Sequence, residues 1–249
     1  MTSSSKAMVT GAASGIGAAT ARELAARGYR VACVDRNGDG ARAVASALPA
    51  VAGGAHVAVT VDVADEPALV AAFTQAVRDL GGLDALVTSA GVADTTPFMD
   101  LTAATFRSVY DDNVVGTFLC LREAARHMPE GGRICTVASV AGIRGGGLSG
   151  TAAYAASKGA VLALTKNAAR ALAARGIAVN TIAPGATLTP MIAGVFANPE
   201  HRKRVESMSV MQRAAGAEEI ARAIAFLLSP DASYVTGSTL VADGGLTMY

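Results

Sequence analysis

Tryptophan is absent from the 249 residues and aromatic side chains make up only 4%, which leaves little from which to build the stacking platforms that hold single-stranded nucleic acid. Cysteine is scarce. Cys33, Cys120 and Cys135 are odd in number, far apart, and each set in an apolar run. A disulfide framework is therefore excluded, and buried, reduced thiols of a cytoplasmic protein are expected. An excess of either charge is missing too: 21 Lys and Arg against 20 Asp and Glu leave +1, no field to attract nucleic acid or an anionic membrane. Charged residues amount to 16%, too few for a disordered or coiled-coil chain. His56, His127 and His201 stand apart from one another and from the cysteines, so no metal-ligand spacing is present. No apolar segment follows a basic start, and no secretory signal is expected. The charge-free stretch at 176–199 is long enough to raise the question of a membrane span. Its Asn180, Pro184, Gly185, Pro190, Gly194 and Pro199 would break a spanning helix repeatedly. It reads as a buried strand followed by a loop.

What is abundant is apolar surface, at 51% of residues. It falls in short continuous runs at 6–10, 30–34, 56–61, 83–87, 133–137, 178–182 and 239–241. Helical patterns lie between them at about 15–28, 39–48, 65–80, 102–128, 152–175 and 217–228. Continuous runs suit strands buried on both faces of a parallel sheet. Strand–helix alternation along the whole length implies right-handed crossovers with helices on both faces. No linker or composition shift divides the chain. The expected fold is α/β, a doubly wound, Rossmann-like parallel sheet in which residues 1–249 form a single domain.

The first run leads directly into Gly11, Ser14, Gly15, Ile16 and Gly17. Glycines let backbone approach a ligand closely, and the helix that follows aims its free N–H groups and positive dipole end at the turn. A pyrophosphate suits that setting, although the G-x-x-x-G-x-G spacing departs from the standard dinucleotide fingerprint, and an ordinary tight turn also fits. The second strand ends at Asp35, 18 residues after Gly17, close to the ~20 at which an acid accepts from the ribose hydroxyls. That carboxylate would repel a 2′-phosphate, favouring NAD over NADP. Arg36 beside it is either a phosphate contact or a solvated loop residue. Asp62 and Val63 close the third strand where a carboxylate meets an adenine amino group, unless Asp62 is merely a cap. Ser89, Ala90 and Gly91 end the fourth with small side chains, as close approach to a cofactor requires.

The fifth strand delivers Ser139 just past its carboxyl end, where open α/β sheets bind ligands. Tyr154 and Lys158 follow at i and i+4, on one helix face. A phenol titrates near ~10; a neighbouring cation lowers that value and makes a proton-transfer group. Alone, the pair equally fits an amphipathic helix with a Tyr at its edge and a solvated Lys. Order and placement, after a nucleotide turn, an acidic strand end and a strand-end Ser, favour chemistry.

With these residues in that order, the chain resembles the short-chain dehydrogenase/reductase family in its compact form. The matches are Thr10-Gly11-x-x-x-Gly15-Ile16-Gly17, Asp35, Asp62-Val63, Asn113, Ser139, Tyr154-x-x-Ser157-Lys158, Asn180 with Pro184-Gly185 and Thr189, and Thr236-Gly237 with Asp243-Gly244-Gly245. The resemblance implies that Tyr154 is the general acid/base, that Lys158 lowers its pKa and binds the nicotinamide ribose, that Ser139 orients the substrate oxygen, and that Asn113 helps hold a proton-relaying water. It further implies a carboxamide clamp at Pro184, Gly185, Thr187 and Thr189, NAD as cofactor, a lid at about 190–213, and a homotetramer paired through helices 102–128 and 152–175. Two departures stand out: Ser89 replaces the usual Asn, and the Ser139-to-Tyr154 interval is slightly long, the extra length falling at 144–150. The expected activity is hydride transfer between NAD(H) and a small-molecule secondary alcohol or ketone. The rivals are a 3-oxoacyl-carrier-protein reductase using NADPH and a non-catalytic NAD-binding regulator. Within the lid, Met191, Ile192, Val195, Phe196, Met208, Val210 and Met211 are candidates for an apolar pocket wall. The run 201–204 reads as a solvated face, and Arg144 as a candidate contact for an anionic substrate.

Overall fold

A computed structural model describes residues 4–146 and 151–248. The apolar runs form a seven-stranded, all-parallel sheet from β1 (Lys6–Thr10), β2 (Arg30–Asp35), β3 (Val57–Thr60), β4 (Ala85–Thr88), β5 (Arg133–Val137), β6 (Ala178–Pro184) and β9 (Thr239–Ala242), in the order β3-β2-β1-β4-β5-β6-β9. Val9 lies opposite Cys33 of β2, and Thr10 opposite Thr88 of β4. Alternate residues of each strand feed opposite faces, and both faces are covered. Ala7, Val9, Val31 and Cys33 pack against α1 (Gly15–Ala26), α2 (Gly38–Ala47) and α10 (Ala217–Leu227). Met8, Ala32, Val34 and Leu86 pack against α3 (Glu66–Leu80), α5 (Gly116–His127) and the distal part of α7 (Ala152–Leu172). Small side chains bring these layers close: Ala19 of α1 meets Ala217 and Ala221 of α10.

The strand order reverses between β1 and β4, which opens a crevice at the carboxyl edge of the sheet. The stretch at 176–199 is β6 followed by β7 (Thr187–Leu188) and a short α8 (Ala193–Phe196), and no helix among the described residues is long and apolar enough to cross a membrane. All three cysteines are free and buried, with burial raising each thiol to about 12.

The structure departs from expectation in local detail. The helical pattern at 102–128 is three pieces: α4 (Ala103–Tyr110), a π turn (Asp111–Val115) and α5. A two-residue strand, β8 (Ala215–Gly216), pairs with β7. The segment expected to form a lid, at about 190–213, carries α8 and α9 (Pro199–Glu206) and lies between these paired strands. The loop at 144–150 begins as a helical turn, α6 (Ala141–Arg144); its residues 147–150 lie outside the described residues.

Candidate active site

A cleft of about 330 Å³ runs along the carboxyl edge, from the ends of β2 and β3 past β1 and β4 to the lid. Of the residues singled out in the sequence, Gly11, Ser14, Gly15, Ile16, Asp35, Arg36, Asp62, Val63, Ser89, Ala90, Gly91, Ser139, Tyr154, Lys158, Pro184, Gly185, Thr187 and Thr189 all line it. Gly17 and Asn113 do not, and both act from behind the wall. A Cβ on Gly17 would stand 2.0 Å from the Gly11 oxygen, so only glycine lets the turn fold back on its helix. Gly11 itself sits at φ +70°, and a Cβ there would reach 2.7 Å from the Ala90 nitrogen.

The helix that opens onto this turn begins without a side-chain cap. Asn37, Asp65, Thr102 and Asn198 cap α2, α3, α4 and α9 through their side chains. Ser14, at the start of α1, makes no such bond, and the first turn carries no acid. The amides and dipole of α1 are thus left for an anion in the cleft. Asp35 flanks the turn, its carboxylate accepting from Ala13 N at 3.0 Å and Asn37 N at 2.8 Å. Thr189 lies against the other side, with its Cβ 3.3 Å from where a Gly15 side chain would begin. Thr187 is buried and donates to the Gly185 carbonyl at 3.1 Å. These groups fit a dinucleotide: an uncapped helix start for the pyrophosphate, an acceptor for ribose hydroxyls, and glycine cradles that a Cβ would fill.

Midway along the cleft, Ser139, Tyr154 and Lys158 converge. The Ser139 hydroxyl accepts from Ala141 N at 3.1 Å. Lys158 is buried, donates to the Val137 carbonyl at 2.9 Å, and stands 5.8 Å from the centroid of the Tyr154 ring. Burial alone brings its ammonium down to about 8. Burial holds the phenol above its ordinary value, and the opposing pull is the Ser139 hydrogen bond. In the protein by itself, desolvation of the phenolate outweighs the help its neighbours give.

Asn113 is fully buried in the π turn. Its side chain accepts from Val92 N at 2.8 Å, donates to Val92 O at 3.0 Å, and donates to the Ser157 hydroxyl at 2.9 Å. Ser157 in turn donates to the Tyr154 carbonyl at 2.7 Å. The Asn113 carbonyl takes the Thr117 hydroxyl at 2.8 Å. Asn113 thereby ties the loop after β4 to the turn of α7 that carries Tyr154.

The lid expectation is corrected in part. Met191, Ile192, Val195 and Phe196 line the cleft, whereas Met208, Val210 and Met211 do not. Met211 N donates to Gly244 O at 3.0 Å, so that end of the lid packs on the C-terminal loop instead. Residues 201–204 are exposed, as read from the sequence, with Arg202 paired to Glu206 at 2.9 Å and set over the Phe196 ring. Sequence reading missed Asp112 and Leu246, both in the wall. Burial and the nearby Asp62 raise the Asp112 pKa, against the pull of Arg36. Its one signal was adjacency to Asn113; Leu246 follows the Asp243-Gly244-Gly245 match directly. Among the described residues no cluster of three His, Cys, Asp or Glu suits a metal ion.

A family model described as "Enoyl-(Acyl carrier protein) reductase" matches residues 11–247. The chain is 43% identical over 244 residues to a cis-4-hydroxycyclohexanecarboxylate dehydrogenase of Sinomonas cyclohexanicum, covering 97% of this chain and 96% of the relative. It is 40% identical over 247 residues to a glucose 1-dehydrogenase of Gluconobacter oxydans, covering 98% and 92%. A crystal structure of a dehydrogenase/reductase from Sinorhizobium meliloti 1021 superposes with a TM-score of 0.91 at 38% identity, covering 98% of this chain and 95% of that one.

Proposed function

The chain belongs to the short-chain dehydrogenase/reductase family, whose members are oxidoreductases acting on alcohols and ketones with a nicotinamide cofactor, and on that premise we propose that it transfers hydride between NAD(H) and a secondary alcohol or its ketone. The observation that carries this is the convergence of Ser139, Tyr154 and Lys158 in the same cleft as the uncapped start of α1. When bound, the dinucleotide supplies a hydride-accepting carbon and, oxidised, a ring cation.

The chain's own residues supply the rest. The turn at Gly11, Ser14, Gly15, Ile16 and Gly17 receives the pyrophosphate on free amides. Asp35 accepts from the ribose hydroxyls, and its charge opposes a 2′-phosphate, which is why NAD is preferred despite Arg36. Asp62 and Val63 form the adenine end. Ser89, Ala90 and Gly91 keep the floor low, and Pro184, Gly185, Thr187 and Thr189 clamp the far side. Ser139 holds the substrate oxygen against Tyr154, which takes the hydroxyl proton on oxidation and returns one on reduction. Lys158 places a cation beside the phenol and the nearby ribose. Asn113 acts as a positioning residue through Val92 and Ser157. The half-exposed Val115 and Phe118 support pairing of the α5 region between copies, as in a homotetramer. Three buried thiols suit a cytoplasmic, reducing setting.

A relative 36% identical over 245 residues, described as a 3-oxoacyl-[acyl-carrier-protein] reductase of Escherichia coli, favours a second reading, reduction of 3-oxoacyl groups on an acyl carrier protein with NADPH; the Asp35 carboxylate beside the turn weighs against it. One assay separates these readings from that of a non-catalytic regulator. The protein is incubated with NAD or NADP and a panel of alcohols, ketones and an acyl-carrier thioester, and the reduced-nicotinamide absorbance is followed. Turnover of a simple alcohol with NAD, lost by about a hundredfold or more in Tyr154→Phe, is the expected result. Tight NAD binding without turnover of any substrate would overturn the proposal.

A further inference from the structure

The charged side chains lining the cleft are Asp35, Arg36, Asp62, Asp112, Lys158 and Arg144. The first four lie at the end bounded by β2, β3 and the π turn, and Arg36, Asp62 and Asp112 sit close enough to interact electrostatically. Lys158 is committed to the Val137 carbonyl. Arg144 is different. It makes no ion pair and no side-chain hydrogen bond among the described residues. It shares the wall with Met191, Ile192, Val195, Phe196 and Val205, and every side chain that α8 and α9 give to the cleft is apolar.

Its mounting is rigid. Arg144 ends α6, which starts two residues after Ser139, and Ser139 holds that turn through Ala141 N and Gly142 N. Gly142 presses on α7 so tightly that a Cβ there would stand 2.5 Å from the Gly159 nitrogen. The backbone of Arg144 is thus fixed relative to Ser139 and to the helix of Tyr154, and its side chain is exposed at the mouth of the cleft. Five residues of near-helical chain advance about 7.5 Å between the backbones of Ser139 and Arg144, and both residues line the same cleft.

We propose that Arg144 is a specificity-determining residue: it receives the acid group of a hydroxy-acid or oxo-acid substrate whose reacting oxygen lies at Ser139 and Tyr154 and whose carbon skeleton fills the apolar lid. This rests on the dehydrogenase reading of the cleft. One guanidinium against apolar walls matches a monoanion. A planar guanidinium also suits two-point binding of a carboxylate.

The test compares each of several secondary hydroxy acids with its own neutral methyl amide: 3-hydroxybutyrate, 4-hydroxypentanoate and 3-hydroxycyclohexanecarboxylate. For the parent protein with NAD, kcat/KM is expected to favour acid over amide by about fivefold, the gain from an ion pair at a partly open mouth. Raising ionic strength should shrink that ratio through the acid's KM alone. In Arg144→Gln the ratio should fall to about one, and Arg144→Lys should restore part of it. Calorimetric binding of acid and amide to the NAD-loaded protein gives the same comparison without turnover. A ratio near one in the parent, with the amides well oxidised, would overturn the role of Arg144 while leaving the dehydrogenase reading intact. Selective binding of the acids without oxidation of any compound would support the anion site and sink the dehydrogenase reading.

Discussion

Lys158→Met should make the cofactor-free protein more stable at neutral pH. The ammonium is 6% exposed and titrates at about 8, against 10.5 for an ordinary lysine. Below both values the folded protein carries a buried charge that the unfolded chain would rather hydrate, which opposes folding by roughly 3 kcal/mol. Methionine is of similar length and uncharged, and forfeits only the 2.9 Å bond to the Val137 carbonyl, worth about 1 kcal/mol. The net gain at pH 7 is about 2 kcal/mol. Its pH dependence has a definite sign. Between about 8 and 10.5 the unfolded chain binds more protons at this position than the folded one, so the parent's stability rises with pH through that window. The variant lacks this slope. Its advantage should shrink above pH 8 and become a deficit of about 1 kcal/mol once the unfolded lysine is also neutral. Urea unfolding of both proteins without cofactor, at intervals from pH 7 to 10.5, reads the difference directly. A variant less stable than the parent at pH 7, or an advantage flat in pH, would refute the argument that desolvation governs this lysine.

Other consequences are as definite. Thr88 Oγ1 is buried without a hydrogen-bond partner among the described residues; Thr88→Val should therefore raise stability by about 1 kcal/mol, and a loss of that size in urea unfolding would show that the hydroxyl is satisfied after all. Gly17→Ala forces a methyl to within 2.0 Å of the Gly11 oxygen, so it should cost about 2 kcal/mol or more and abolish NAD binding by calorimetry; unchanged affinity would mean the turn has slack. Asp35→Ser removes the carboxylate beside the turn and should shift kcat/KM towards NADP over NAD by at least about tenfold. No shift would point to Arg36 rather than Asp35 as the discriminating group.

The sheet was legible because each strand is a continuous apolar run bounded by turn residues, and burial on both faces leaves that signature. The π turn was not. One extra residue inside the pattern at 102–128 barely disturbs a hydrophobic periodicity, yet it places Asn113 wholly inside the protein. Strands β7 and β8 are two residues each, too short to carry any period, although they set where the lid is attached. The glycine turn, Asp35 and the Tyr154–Lys158 spacing were readable as local chemistry. Whether Tyr154 sits above or below its ordinary pKa was not, because that depends on how much water the fold removes from both side chains. Arg144 could be named as a candidate, but its commitment to no neighbour is a fact of three dimensions.

Several features that work against folding lie along the cleft. Helices α2 and α3 start at the same edge of the sheet as α1, and each has a side-chain cap from Asn37 or Asp65. Helices α1 and α7, which border the cleft, start without one. A missing cap forfeits about 1 kcal/mol, and the buried Lys158 adds a charge that burial disfavours. Thr88, with its unsatisfied hydroxyl, ends the strand at which the sheet order reverses. Asn37, Asp65, Thr102 and Asn198 show that this sequence caps some helices through side chains, although α5, α6, α8 and α10 also start without such a bond. The pattern is that of an edge whose donors and charge are held ready for a partner outside the chain. A ligand at a hundred times its dissociation constant returns about 2.7 kcal/mol to the folded state, comparable to what the cleft gives up. The cleft is therefore best understood as half of an interaction, with the other half supplied by what binds there.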